Sequence, residues 1–110
     1  MKKSNKSMTS PTQKTLAKLR KEGYLCAVVE KFNPFVKVRQ DLFSFIDILA
    51  LKLGQKTLAV QTTTDNHVAE RVAKIKVSKN YAMVKLSGWK VQVHGWKKKG
   101  NRWELRIVDL

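Results

Sequence analysis

A single carboxylate interrupts the longest apolar stretch of the chain. Phe43-Ser44-Phe45-Ile46-Asp47-Ile48-Leu49-Ala50-Leu51 reads as a near-continuous buried strand, with Asp47 at its centre. A lone ionised acid among apolar neighbours is costly, so Asp47 has to be paired, protonated or bound to a cation. Whatever fold forms must bring suitable partners to this point. The stretch is nine residues long and charged, too short and too polar to span a bilayer.

The next segment supplies candidates. Lys52-Leu53-Gly54-Gln55-Lys56 reads as a turn and Thr57 to Thr63 as a strand. A turn centred on Gly54 sets Asp47 opposite Gln61, Leu49 opposite Ala59 and Leu51 opposite Thr57. Opposed side chains lie roughly 5 Å apart. Thr63 shares a face with Gln61, so this register gathers Asp47, Gln61 and Thr63 into one polar patch. The plain alternative is an Asp47–Arg39 salt bridge, with Gln61 and the threonines as ordinary sheet polar groups.

The remaining elements complete an α/β pattern. Ser10-Pro11-Thr12-Gln13 is a capping box, and the helix it starts carries Leu16 and Leu19 inward, turns Lys14, Lys18 and Lys21 to water and ends at Gly23. Tyr24 to Phe32 reads as a first strand, apolar on both faces and so central in a sheet. Asn66 caps a second helix with Val68, Val72 and Ile75 inward and His67, Arg71 and Lys74 on another face. Tyr81 to Leu86 reads as a short helix. Trp89, Val91 and Val93 alternate with Lys90, Gln92 and His94, and Trp103, Leu105 and Ile107 alternate again. Those two strands form a hairpin turning at Lys97-Lys98-Lys99-Gly100-Asn101. The expected architecture is one mixed sheet with element order α-β-β-β-α-β-β, in a single domain over residues 10–110. Residues 1–9 form a basic tail expected to be disordered.

Charge then narrows the partner. The chain has 23 Lys and Arg against 8 acids, a formal net charge of +15 and a pI near 10.3. Such an excess in a small fold implies a polyanionic partner, and nucleic acid fits best. Apolar residues at 43% are ordinary for a globular protein and argue against wholesale disorder. The basic N-terminus is followed by no apolar stretch that could act as a secretory signal. Cys26, the only cysteine, has no partner for an internal disulfide, which fits a reducing, cytoplasmic setting. His67 and His94 have no companions at zinc-ligand spacing. Arg39, Arg71, Lys74 and Lys97-Lys98-Lys99 are the expected phosphate contacts. Trp89 and Trp103 fall on core parity, whereas Trp96 lies on the opposite parity and is a candidate for stacking on a base or sugar.

The element order, together with an acid, a short turn, then an acid or amide followed two residues later by a polar group, resembles the PD-(D/E)XK nuclease superfamily. That core runs helix, strand, strand, strand, helix, strand. Arg39 to Leu51 and Val60-Gln61-Thr62-Thr63 look like a small phage or bacterial branch akin to Holliday-junction resolvases. The resemblance covers roughly residues 10 to 96. It implies a restriction-endonuclease-like core and a Mg²⁺- or Mn²⁺-dependent DNA endonuclease, acting on duplex, branched or forked DNA in preference to RNA and as a homodimer. By the same resemblance Asp47 is the motif aspartate holding the metal, Gln61 takes the second acidic position and Thr63 the position usually held by lysine. Glu30 supplies an additional carboxylate and Thr62 a carbonyl ligand. Gln61 and Thr63 depart from the motif, and they favour the rival expectation of a non-catalytic DNA- or RNA-binding protein that keeps the fold. Charge alone would also permit an RNA-associated structural protein. Asp41 is a candidate third acid near the metal, but two residues after Arg39 it reads rather as a loop salt-bridge partner.

Overall fold

Helix α1, Pro11–Lys21, starts as its capping box predicts: the Ser10 hydroxyl accepts the Gln13 N–H at 3.1 Å. The computed structural model describes residues 10–110, and the expected basic tail at 1–9 lies outside them. In chain order there follow β1 (Leu25–Val28), β2 (Lys31–Asn33), β3 (Val38–Gln40), β4 (Ile48–Leu51) and β5 (Leu58–Thr64). A 3₁₀ turn at Asp65–His67 leads into α2 (Val68–Val77) and α3 (Lys79–Leu86), then β6 (Lys90–Lys99) and β7 (Arg102–Asp109). Five strands form one mixed sheet in the order β1-β4-β5-β6-β7, and β2 and β3 form a separate two-stranded ribbon. Among the described strands only β5 and β6 pair in parallel, which requires the crossover supplied by α2 and α3.

The sheet is covered on both faces. Leu16 and Leu19 of α1 pack on Ile48, Ala50, Leu58 and Val60. On the other side Val68, Ile75 and Val84 pack on Ala59, Val91, Val93, Phe45 and Ile46. Full burial of each such Leu, Ile or Val contributes about 1.5–3 kcal/mol. Six of the seven residues of β5 are buried, so β5 is the central strand. Gly95 in β6 permits the close seating of the 3₁₀ turn and α2, since a Cβ there would lie 2.2 Å from Val68 Cγ2.

The register expected from a turn at Gly54 is present: Leu49 pairs with Ala59, flanked by Ile48–Val60 and Ala50–Leu58. Several other expectations are corrected. The stretch Tyr24 to Phe32 is not one central strand. Its regular part, Leu25–Val28, is the sheet edge, and the chain then leaves the sheet to form the β2–β3 ribbon. The apolar stretch from Phe43 is a strand only from Ile48 onward. Leu42 to Ile46 fold into a tight turn, with Phe43 and Ser44 in the left-handed region at φ 51° and 74°. That conformation is strained for residues with a side chain. It is held by Asn80 Nδ2 donating to the Phe43 carbonyl at 3.1 Å and by a 3.1 Å Ser44–Ser78 hydroxyl contact. Asn66 does not cap α2. It sits within the 3₁₀ turn and accepts from the Thr64 hydroxyl at 2.6 Å, and the α-helix begins at Val68. The element order therefore gains a ribbon over the α-β-β-β-α-β-β expected, and the short helix read at Tyr81 to Leu86 is present as α3.

The C-terminal hairpin also differs in detail. β6 runs through Lys97, Lys98 and Lys99, which pair with Glu104, Trp103 and Arg102, so the turn is confined to Gly100 and Asn101. Trp103 is 43% exposed rather than core. The Lys14 ammonium, expected in water, lies 3.9 Å from the Trp103 ring centre, so these two side chains cover each other. Trp96 is half-buried and donates its Nε1–H to the Thr15 hydroxyl at 2.9 Å. His94, read as a polar outward position, is buried because α1 covers that face.

Candidate functional site

Asp47 lies at the bend immediately before β4. Ile46 packs with the α2–α3 side and Ile48 with the α1 side, so the chain turns over at Asp47 instead of continuing a regular pleat. Its N–H is held by the Val60 carbonyl at 2.9 Å. Its carboxylate Oδ2 accepts the Thr62 N–H at 2.8 Å and the Thr62 hydroxyl at 3.3 Å. The Thr62 hydroxyl also meets the Thr12 hydroxyl of α1 at 2.8 Å. These bonds fix the acid in place at 5% exposure.

Two further acids converge on it. Glu30 precedes β2 and Asp41 follows β3, so each leg of the ribbon delivers one carboxylate. Single oxygens of Glu30, Asp41 and Asp47 all lie within 4.8 Å of one another. Burial pushes the Asp47 pKa up to about 7; the Thr62 N–H works against this, and Asp41 and Glu30 push the same way as burial. Compensation is partial and comes from the flanks. Arg39 Nη1 lies 3.4 Å from Glu30, so the arginine pairs with Glu30 and not with Asp47. Gln61 Nε2 donates to Asp41 at 3.2 Å.

The three acids line a cleft of about 820 Å³, shared with the first turn of α1, Thr62 to Thr64, Arg39, His67 and Arg71. A neighbouring hollow of about 210 Å³, lined by Gln61, Lys74 and Ser78 among others, shares Asp41 and Arg71 with the cleft. Arg71 therefore stands between the two. Hard carboxylate oxygens at this spacing suit Mg²⁺, Mn²⁺ or Ca²⁺ and not a soft metal. The donor set fits a divalent cation: three acids drawn together against their own repulsion are stabilised by a counter-charge.

The sequence-derived set is thus partly assembled. Asp47 and Glu30 meet as expected. Gln61 does not join them on one face but reaches the site through Asp41. Thr62 serves Asp47 through its N–H and hydroxyl. Thr63 is 5% exposed and borders the cleft, with no side-chain hydrogen bond to any described residue. Asp41 is the residue sequence reasoning set aside. Its place depends on the left-handed turn at Phe43 and Ser44, which folds Asp41 back toward Asp47 and has no glycine to announce it. Lys97, Lys98 and Lys99 are exposed along β6, outside the cleft, and Trp96 is engaged with α1. Among the described residues no helix is long and apolar enough to cross a membrane. Comparison with protein-family models, with curated proteins and with solved structures gives no match.

Proposed function

We propose that the chain is a divalent-metal-dependent DNA endonuclease with a restriction-endonuclease-like core. One observation carries this reading: three of the chain's 8 acids converge in a single cleft of a protein with 23 Lys and Arg. Surface acids in so basic a chain have cations available everywhere, and gathering three together favours cation binding over structural pairing. The element order supports the same reading. With the ribbon and α3 set aside, α1, β1, β4, β5, α2 and β6 run helix, three strands, helix, strand.

In this reading Glu30, Asp41 and Asp47 hold Mg²⁺ or Mn²⁺. The cation, when bound, supplies Lewis-acid polarisation of a phosphoryl oxygen and lowers the pKa of an attacking water. The Thr62 N–H keeps the Asp47 oxygen in place, and Gln61 orients Asp41. Arg71 takes the charge-stabilising role that lysine has in the motif, since among the described residues no lysine lines the cleft. Lys74 and the Lys97–Lys99 row contact the DNA backbone outside the cleft. DNA is the preferred partner over RNA, and a homodimer would place two clefts on two strands.

A second reading, a DNA- or RNA-binding protein without hydrolysis, is favoured by Thr63, which brings no cation to the motif's lysine position. The two are separated by incubating labelled linear, forked and four-way DNA with Mg²⁺, Mn²⁺ or EDTA. Cleavage in either metal, absent in EDTA and reduced at least about 100-fold by Asp47→Asn, is the expected result. Binding of all three DNAs with no cut in either metal would leave the second reading standing.

A further inference from the structure

The β2–β3 ribbon carries large apolar side chains that are half or more exposed. Phe35 is 93% exposed, Val36 59%, Phe32 53% and Val38 50%. Such a cluster is expensive in water unless something binds it. The ribbon is also cationic: Lys31, Lys37 and Arg39 lie in it, and residues 31–40 contain no acid. A second copy of the chain, itself at +15, would be repelled from this surface, whereas a nucleic acid would be attracted to it.

The placement of the ribbon is specific. Its legs deliver Glu30 and Asp41 to the acid cluster, so whatever occupies the cleft lies at its base. Phe32 is the cross-strand partner of Arg39, and Glu30, two residues before Phe32, bonds that same arginine. Phe32 thus stands on the ribbon beside Arg39, which with Glu30 lines the cleft. Phe35 stands at the tip, in a loop shaped by Pro34, by the Asn33 side chain accepting the Phe35 N–H at 2.9 Å and by Lys37 at φ 55°.

We propose that this ribbon is a base-stacking wedge, in which Phe35 at the tip and Phe32 beside Arg39 stack on unpaired nucleotides of DNA entering the cleft. Aromatic faces take any exposed base, whereas bases inside a continuous duplex are already stacked on one another. The wedge selects DNA whose strands have separated next to the acid cluster: forks, flaps and junctions over uninterrupted duplex. This inference rests on reading the cleft as a nucleic-acid site and adds the form of the substrate.

The test is equilibrium binding in EDTA, where no metal-dependent cleavage intervenes. The probes are a fork carrying 2-aminopurine at its branch point and a blunt duplex of the same length. The expected result is tighter binding of the fork by roughly tenfold, with a change in 2-aminopurine fluorescence on binding. Phe35→Ala brings the fork-to-duplex ratio close to one, and Phe35→Trp preserves it. At 93% exposure the truncation removes no core packing, and circular dichroism of both variants checks the fold. An unchanged ratio in Phe35→Ala overturns the proposal. So does a dimer, detected by sedimentation without DNA, that Phe35→Ala dissociates, because the tip would then belong to a second copy. Loss of the ratio in a protein that cuts no DNA would retain the wedge and remove the nuclease. Metal-dependent cutting with an unmoved ratio would do the reverse.

Discussion

Asp47 and His94 are both buried ionisable side chains of the same sheet, and their surroundings are opposite in kind. His94 is completely buried and sits in a one-way chain of hydrogen bonds. Trp96 Nε1–H donates to the Thr15 hydroxyl at 2.9 Å, and Thr15 faces His94 Nδ1 at 3.4 Å. His94 Nε2 meets Gln92 Oε1 at 2.8 Å, and Gln92 Nε2 donates to Asp109 at 2.8 Å. With the proton on Nε2 every donor has an acceptor and the ring is neutral. Burial and the nearby Lys18 hold its pKa down to about 4. Asp47 is held just as firmly, but its neighbours on the open side are two more acids. One network is complete in itself. The other gathers acids that repel one another, so it takes up a counter-charge, a proton or a cation, where the His94 network takes up none.

Replacing each group in turn gives the sharpest contrast. Asp47→Asn is expected to have the largest effect on activity, the loss of at least about 100-fold in cleavage given above, while stabilising the metal-free protein at pH 8 by about 1–2 kcal/mol in denaturant unfolding. The asparagine oxygen can still accept the Thr62 N–H, and one negative charge leaves the cluster. His94→Ala should act the other way. It opens a cavity and strips partners from Thr15 and Gln92, lowering stability by about 2–4 kcal/mol in the same assay. A destabilising Asp47→Asn or a silent His94→Ala would undo the comparison.

The two groups also titrate with opposite sign. A carboxyl whose pKa rises on folding binds its proton more tightly in the folded chain, so Asp47 makes the metal-free protein less stable as pH rises from its ordinary 3.8 to about 7. A histidine whose pKa falls on folding does the reverse. His94 adds stability as pH rises from about 4 to its ordinary 6.5 and loses it as pH drops. Thermal melts in EDTA should therefore change little between these limits in the wild type and rise with pH in Asp47→Asn. Because a bound cation displaces the Asp47 proton, Mg²⁺ or Mn²⁺ affinity measured by calorimetry should increase as pH passes upward through about 7.

The smallest expected effect lies at α1, which touches both networks from one face. Thr12 reaches Thr62 and so the Asp47 site, and Thr15, one turn on, reaches His94. Thr12→Val should cost about 1 kcal/mol and lower cleavage a few-fold, since the Thr62 N–H still holds Asp47. Equal losses of activity from Thr12→Val and Thr15→Val would show that α1 does not distinguish the two sites.

What could be read from the sequence was governed by forces acting over a few residues. The Ser10 cap, the inward Leu16 and Leu19, the Leu49–Ala59 register and the need of Asp47 for partners all follow from local hydrogen bonding, side-chain period and desolvation. Tertiary structure decided the rest. Tyr24 to Phe32 looked central by composition, but a strand becomes central only when it has neighbours on both sides, and β1 has one. Trp103 and Lys14 shelter each other because two distant elements happen to meet. The acid cluster joins Glu30, Asp41 and Asp47 through a ribbon and a strained turn without a glycine signal, so no spacing rule links them. The sequence alone required that the carboxylate at Asp47 find partners. Which groups answered was settled by the packing of segments far apart in the chain, where many weak contacts act together and no local pattern records the outcome.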